Sequence, residues 1–262
     1  MKILVTVTEV AEADDEFEIS GTSIADQYLT YDLNEWDDYA IEEAVQLSED
    51  HDDIEVVTVT FGAERVEETI RTALVKGADR AIRVWDESFE GKTVLDPSAK
   101  AQLLAGVVEE EDPDLVLSGV QSGDVSIGAT GVALAEQIGY EWAAVVNQLD
   151  LDRDSGIAAI HRELEGGVEE LTDVELPAVL TIQTGINEPR YASLRGIRQA
   201  QSKPLDVMSP DDIGVELEES AIELTELVEP ESESDTTLFE GDAGEQAEQL
   251  GELLEDEGVV EG

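Results

Sequence analysis

The sequence predicts an α/β protein: an open, mostly parallel sheet with helices on both faces, antiparallel additions at one edge and a C-terminal arm. Three observations carry this. Short β-branched apolar runs alternate with segments of helical periodicity, the pattern of successive βα units. Past residue 150 the alternation gives way to two strand-like runs around a Gly-Gly turn. Beyond residue 203 the composition changes abruptly, because residues 204–262 hold 21 acidic residues and no basic one.

The elements follow in order. Residues 3–7 (ILVTV) read as a buried strand. Residues 37–47 place Tyr39, Ala40, Ala44, Val45 and Leu47 near one helical face, with Asp37 or Asp38 as the cap. Residues 54–60 form a second strand leading into Phe61-Gly62. Residues 64–76 form a helix with Val66, Ile70, Ala73 and Leu74 inward, ended by Gly77. Residues 81–84 are a third strand, 98–110 a helix, 114–119 a strand ending in glycine, and 126–138 a helix. Crossovers of this length require parallel neighbours. Residues 157–163 and 168–171 pair as a hairpin around Glu165-Gly166-Gly167, and residues 177–182 add a further strand. Two regions result: a globular α/β domain over 1–203 and an acidic arm over 204–262.

Charge excludes several functions. With 65 Asp and Glu against 14 Lys and Arg, the formal net charge is −51. Nucleic acid and anionic membrane surfaces both require a basic face, so neither is a partner. Absence of Cys removes disulfides, thiolate metal sites and thiol nucleophiles, and two His make a histidine metal site improbable. Disorder does not explain the charge, because 41% hydrophobic residues and 21 Gly are an ordinary globular content. A normal core under an acid-rich, lysine-poor surface fits a protein adapted to concentrated salt. At about 1 M the Debye length is ~3 Å, which screens the self-repulsion. The N-terminal run turns acidic by Glu12 without a secretory signal, and no apolar stretch could span or insert into a membrane. A soluble, cytoplasmic protein is expected.

Ligands of an open α/β sheet bind beyond the carboxyl ends of its strands. Three segments meet there: Thr6-Val7-Thr8, Thr60-Phe61-Gly62, and residues 118–131, a Gly/Ser/Thr-rich loop entering a helix. Such a loop can cradle phosphate with backbone N–H groups, or be an ordinary turn. Neither a P-loop nor a dinucleotide fingerprint is present. Catalytic constellations are poor. His51 sits in an acidic loop as a solvated histidine, and His161 lies on a strand as a structural one. There is no GxSxG, HExxH or SxxK. Arg190, in NEPRY, stands out because cations are scarce.

Several segments together carry a family resemblance. LNEWDDYAIEEAV (33–45) is similar to NPFxExAVEEA, and ETIRTALVKGADR (68–80) to ExxRxALAMGADR. RELEGG (162–167), LPAV (176–179) and NEPRYASL (187–194) complete the set. By these motifs the chain resembles the β subunit of electron transfer flavoproteins over nearly its whole length. The resemblance implies an adenine-nucleotide alpha hydrolase-like fold paired with an α subunit that holds most of the redox FAD. It also implies AMP, or in electron-bifurcating members a second FAD, in the cleft of this subunit. The matching cleft positions are Thr6, Asn34, Glu35, Trp36, Asp37 and Phe61, and in the loop Gly119, Gln121, Gly123, Asp124, Ser126, Gly128 and Thr130.

It further implies a recognition loop, with Tyr191, Leu194 and Ile197, that docks acyl-CoA or related flavin dehydrogenases, and delivery of electrons to a membrane quinone reductase. Glu163 matches a contact with the movable flavin domain. The chain would then be an electron carrier rather than a catalyst with its own substrate. The alternatives are a bifurcating subunit taking hydride from NADH, and a stand-alone nucleotide-binding regulatory domain. The sequence departs from the family where IDxDxxQTG becomes GDVSIGATG, keeping Asp124, Thr130 and Gly131, and where Glu35 replaces the proline after Asn34. The lysine cluster after the recognition loop is RQAQSK (198–203) here. In the arm, Ala243, Ala247, Leu250 and Leu254 form a helical stripe. By analogy with the family, residues 221–235 are expected to wrap as extended chain and the final helix to dock on the α subunit.

If the acidic surface is salt adaptation, the thermal unfolding midpoint rises steeply between dilute buffer and molar KCl. An unchanged midpoint would refute that origin of the charge.

Overall fold

A computed structural model describes residues 1–51, 53–89, 96–216, 222–229, 237–256 and 258–259. It divides into two units, Met1–Leu227 and Val228–Gly262. The first contains β1 (Lys2–Thr6), β2 (Glu9–Ala13), β3 (Ile19–Ser20), β4 (Ser23–Ile24), β5 (Leu29–Leu33), α1 (Glu35–Asp50), β6 (Glu55–Phe61), α2 (Glu67–Lys76), β7 (Arg80–Val84), α3 (Pro97–Glu111), β8 (Leu115–Gly119), α4 (Thr130–Ile138), β9 (Glu141–Asp152), β10 (Ile157–Leu164), β11 (Val168–Glu175), β12 (Ala178–Ile182), α5 (Leu194–Ala200) and β13 (Leu205–Met208). The second contains α6 (Ala243–Asp256).

Nine strands form one sheet in the order β11-β10-β9-β12-β8-β1-β6-β7-β13. From β9 to β13 every pair is parallel; β10 and β11 add antiparallel at the edge. The predicted α/β class and its edge hairpin are therefore observed. Alternation along the strands divides the core. Ile3, Val5, Leu115 and Leu117 face Ile41, Ala44, Ile70 and Leu74 of α1 and α2. Leu4, Val57, Val59 and Val116 face Leu103, Leu104 and Val107 of α3 and Leu134 of α4. The chain moves from β1 outward to β6 and β7, then crosses to β8 on the other side of β1. That reversal opens a crevice between β1 and β8 at their carboxyl ends.

Four features differ from the sequence reading. Strand β9 is long because it serves two pairings. It runs parallel to β12 as far as Val146 and pairs antiparallel with β10 from Val146 to Asp152. Just before Val146, where the register with β12 shifts, Val145 takes φ 63 and its N–H donates 2.9 Å to Thr181 Oγ1, a bulge that redirects the strand. An antiparallel pair, β2 with β5, occupies the acidic stretch before α1. The cap of α1 is Asn34, not Asp37 or Asp38, and α4 begins at Thr130 rather than 126. Finally, the change in charge at Lys203-Pro204 precedes the change in packing. Beyond it β13 joins β7 in the sheet, and Ile213 is buried in the core.

In the second unit, α6 is closed by its own N-terminus. Asp242 Oδ1 accepts from the N–H groups of Gly244 (2.8 Å) and Glu245 (3.1 Å), while Glu245 Oε2 accepts from Asp242 N–H (3.0 Å). Of the arm expected as extended chain over 221–235, residues 222–229 carry no helix or strand, and the remainder lie outside the described residues.

At the amino ends of the strands, Glu111 of α3 bonds Lys2 Nζ at 2.9 Å and pairs with both terminal nitrogens of Arg80, which also donates 2.8 Å to Glu55. Arg80 chiefly, against the opposing effect of burial, holds the Glu111 carboxyl below its ordinary range. A depressed carboxylate stabilises the fold above its unfolded-state pKa and loses that contribution as pH falls through its folded value. Glu111→Gln should therefore lower stability at pH 7 by roughly 1–3 kcal/mol. The gap from the parent should narrow as pH drops through and below the carboxylate range, read by denaturant unfolding.

Candidate functional site

A cavity of about 330 Å³ opens at the carboxyl ends of β1, β6 and β8. Alternation aims Thr6, Phe61 and Ser118 at it from the sheet face covered by α3 and α4. Phe61, Trp85, Phe89 and Leu104 supply an apolar wall, with the Trp85 and Phe89 rings stacked 5.3 Å apart. The opposite rim is the loop from Gly119 to the start of α4.

Two buried polar residues hold this rim together. Asn34, the cap residue of α1, does not cap the helix with its side chain. Its Nδ2 donates 2.9 Å to the Gln121 carbonyl, its Oδ1 accepts from Gly123 N–H at 3.2 Å, and its own N–H donates 2.9 Å to the Thr8 carbonyl. Asp37 accepts from Thr8 N–H (2.8 Å) and Gly119 N–H (2.9 Å). One turn of α1 thus fastens the ends of β1 and β8. Gly119 is required there, because a Cβ would stand 2.6 Å from Asp37 Oδ1 and from Trp36 Cβ. Burial dominates the titration of Asp37 and pushes its carboxyl up to about 6, despite the hydrogen bonds that favour the charged form.

The loop ends on α4 with its first N–H groups free of side-chain caps, since Ala129 offers none. Gly128, at φ 65, and Ala129 bring the chain to the cavity. Gly131 lets the helix start sit against the sheet; a Cβ there would lie 2.7 Å from Ser118 Oγ and Thr181 Cγ2. An uncapped helix N-terminus carries partial positive charge and open donors, which suit an anionic group.

Of the cleft residues expected from the sequence, Thr6, Asn34, Asp37, Phe61, Gly119, Gln121, Asp124, Gly128 and Thr130 line the cavity. Glu35, Trp36, Gly123 and Ser126 do not line it. Trp36 Nε1 instead donates 3.1 Å to Gln183 Oε1, and Ser126, at φ 53, donates from Oγ to the Ser122 carbonyl at 3.1 Å. The sequence reading missed Glu9, Arg65 and Lys100, which also line it. Arg65 pairs with Glu9, lies 3.5 Å over the Tyr31 ring, and so fastens the β2–β5 pair to the rim; Glu9 also accepts from Thr69 Oγ1 at 3.0 Å. Scarcity of cations was the signal that could have found Arg65 and Lys100.

The expected partner-facing residues lie elsewhere. Tyr191, Leu194 and Ile197 are 95%, 77% and 43% exposed, on and just before α5. Glu163 is exposed on β10, opposite Glu169. His51 ends α1 with its N–H on the Leu47 carbonyl, and His161 Nε2 is 3.6 Å from Glu169; neither lines the cavity. Among the described residues no group of His, Asp and Glu could hold a metal ion, and no helix is long and apolar enough to cross a membrane.

The model of the electron transfer flavoprotein domain matches residues 21–213. A protein named electron transfer flavoprotein subunit beta from Methylophilus methylotrophus is 42% identical, covering 97% of this chain and 98% of its own length. The chain belongs to the electron transfer flavoprotein β-subunit family. The human subunit beta is 36% identical over 83% of this chain and 84% of its own, and that of Bacillus subtilis 32% over 99% and 100%. Membership identifies an electron-transport protein of a flavin-associated family.

Because folding raises the pKa of Asp37, its contribution to stability is greatest below 3.8 and declines as pH rises through about 6. Asp37→Asn should remove that slope. It also turns an amide NH₂ toward one of the two N–H donors, costing roughly 1–3 kcal/mol at pH 7. Unfolding curves from pH 3 to 8 read both effects; a parallel pH profile in parent and variant would contradict the assignment.

Proposed function

We propose that this chain is the β subunit of a heterodimeric electron carrier and holds an adenine mononucleotide in its cleft. The supporting observation is the uncapped start of α4 at the cavity, reached by a loop that Asn34 and Asp37 hold in place. A phosphate fits those N–H groups without a cationic side chain, which suits a chain of net charge −51. The Phe61, Trp85 and Phe89 wall offers a flat base an apolar surface, and Thr6 and Ser118 add hydroxyl-bearing side chains to the lining. A cavity of about 330 Å³ lies at the small end of ligand pockets, which favours AMP over the larger FAD. AMP there is a structural ligand that fills the crevice.

The redox FAD belongs, in this reading, chiefly to an α subunit and supplies one- and two-electron transfer when bound. Electrons arrive from acyl-CoA or related flavin dehydrogenases and leave to a membrane quinone reductase. Tyr191, Leu194 and Ile197 dock the donor, since exposed apolar side chains beside one another suit insertion into a partner pocket. Glu163 meets the movable flavin domain. The α6 stripe and the acidic chain before it dock on the α subunit; a helix of this length is marginal alone.

Co-expression with the α subunit encoded by the same organism, purification in molar KCl and nucleotide extraction test the proposal. The expected result is a heterodimer with one FAD and one AMP, formed less well when residues 236–262 are deleted. Two flavins per heterodimer would support the bifurcating reading instead, and a monomer that ignores the α subunit would support a separate regulatory domain.

A further inference from the structure

The exposed triad of Tyr191, Leu194 and Ile197 sits between two sets of fastenings. Upstream, Arg190 lies across the middle of α1. Its Nε donates 2.8 Å to Glu42 Oε2 and its terminal nitrogens donate to Glu42 Oε1 at 3.0 Å and to both oxygens of Glu49 at 2.7 and 3.0 Å. Its backbone N–H adds a bond to Glu42 at 3.1 Å, and its carbonyl accepts from Lys76 Nζ at 2.8 Å. Lys76 in turn pairs with Asp38, and Asn187 Nδ2 donates to the Tyr39 carbonyl and Glu43. Downstream, Arg71 donates 3.0 Å to the Ala200 carbonyl, and Lys203 Nζ reaches the Leu74, Gly77 and Ala78 carbonyls at the end of α2. Gly196 closes α5 on α2; a Cβ there would stand 2.5 Å from the Val75 carbonyl oxygen.

Glu42 is buried in the middle of α1, whereas Glu49, one to two turns on, is exposed. A buried carboxylate needs a paired cation or well-placed hydrogen-bond donors, and a guanidinium is the side chain that can meet two carboxylates in fixed geometry. The same cation also grips its carboxylate through its own backbone N–H, so the direction of the chain leaving Arg190 is set along with its side chain. Tyr191 follows immediately and Leu194 three residues later.

We propose that Arg190 is the positioning residue of the 191–197 docking segment, acting through Glu42 and Glu49 on α1. This rests on the reading that Leu194 docks an electron-donating dehydrogenase. Pre-ordering the segment lowers the entropy lost when its apolar side chains enter a partner pocket. The role belongs to Arg specifically, because Lys retains the charge but cannot bridge both carboxylates.

The test uses the full αβ heterodimer with Arg190→Gln, Arg190→Lys, Glu42→Gln and, as control, Leu194→Ala. Hydrogen exchange of the 191–198 amides should accelerate about tenfold or more in Arg190→Gln, less in Arg190→Lys, while core-strand amides stay protected. With a purified acyl-CoA dehydrogenase as reductant, KM for the heterodimer should rise by about tenfold while kcat moves far less. Should Arg190→Gln fail to fold, Glu42→Gln, a neutral isostere, carries the same two readouts. Unchanged exchange of the segment in the folded variants overturns the proposal, as does acceleration spread over the whole domain. If Leu194→Ala leaves KM unchanged, the docking reading itself fails, whatever the exchange data show.

Discussion

The carboxylate of Asp37, buried in the first turn of α1, accepts the N–H groups of Thr8 and Gly119 and thereby joins two strands at the reversal of the sheet. An open parallel sheet diverges at such a reversal, since the helices on either side leave in opposite directions. Something must bridge the gap without filling it. Asn34 and Asp37 do this from one helical turn, and they hold the loop of residues 119–129 at the edge of the crevice. The cavity, the uncapped start of α4 and the aromatic wall all depend on that loop staying where it is. Holding a carboxylate out of water is the cost of this arrangement, visible in its raised pKa.

The same helix organises the opposite side of the domain. Along α1, Asn34 and Asp37 face the crevice, while Asp38, Glu42, Glu43 and Glu49 take Lys76, Arg190 and Asn187. Cations are few in this chain, and many of those described work inward. Lys2, Arg80, Arg190 and Lys76 meet acids on neighbouring elements, and Lys203 meets carbonyls at a helix end. Their job is to fasten elements together, and the acid excess is left to face solvent. A surface so constituted repels itself in dilute buffer and is quietened by salt.

Much of the fold was legible from pattern. The apolar strands were readable because a strand buried on both faces must be apolar at nearly every position, as residues 3–5 and 115–117 are. Helix α2 was readable from its inward face, Ile70, Ala73 and Leu74, and from its terminating Gly77. Strand β9 escaped because its outer half, carrying Asn147, Gln148, Asp150 and Asp152, belongs to a half-exposed antiparallel edge. Strands β2 and β5 escaped because their alternation is acidic and only half buried. Strand β13 escaped because four residues after a charge boundary signal nothing until β7 is beside them. In the crevice, the glycine-rich loop was visible from composition, and Thr6 and Phe61 from their place at strand ends. Arg65 and Lys100 were not, since each reaches the cavity from an element whose own pattern describes only packing.

The order of residues alone determined the α/β class, the edge hairpin, the family and the acidic surface, because each is written in periodicity, composition or contiguous motifs. Tertiary structure decided what the singled-out residues do. Asp37 read as a helix cap and became a bridge between two strand ends. Arg190 read as a lone conspicuous cation and became the tie between a loop and a helix more than a hundred residues earlier in the chain. Those roles depend on which atoms meet across the sheet, and hydrogen bonds are directional and short, so no spacing along the chain can specify them.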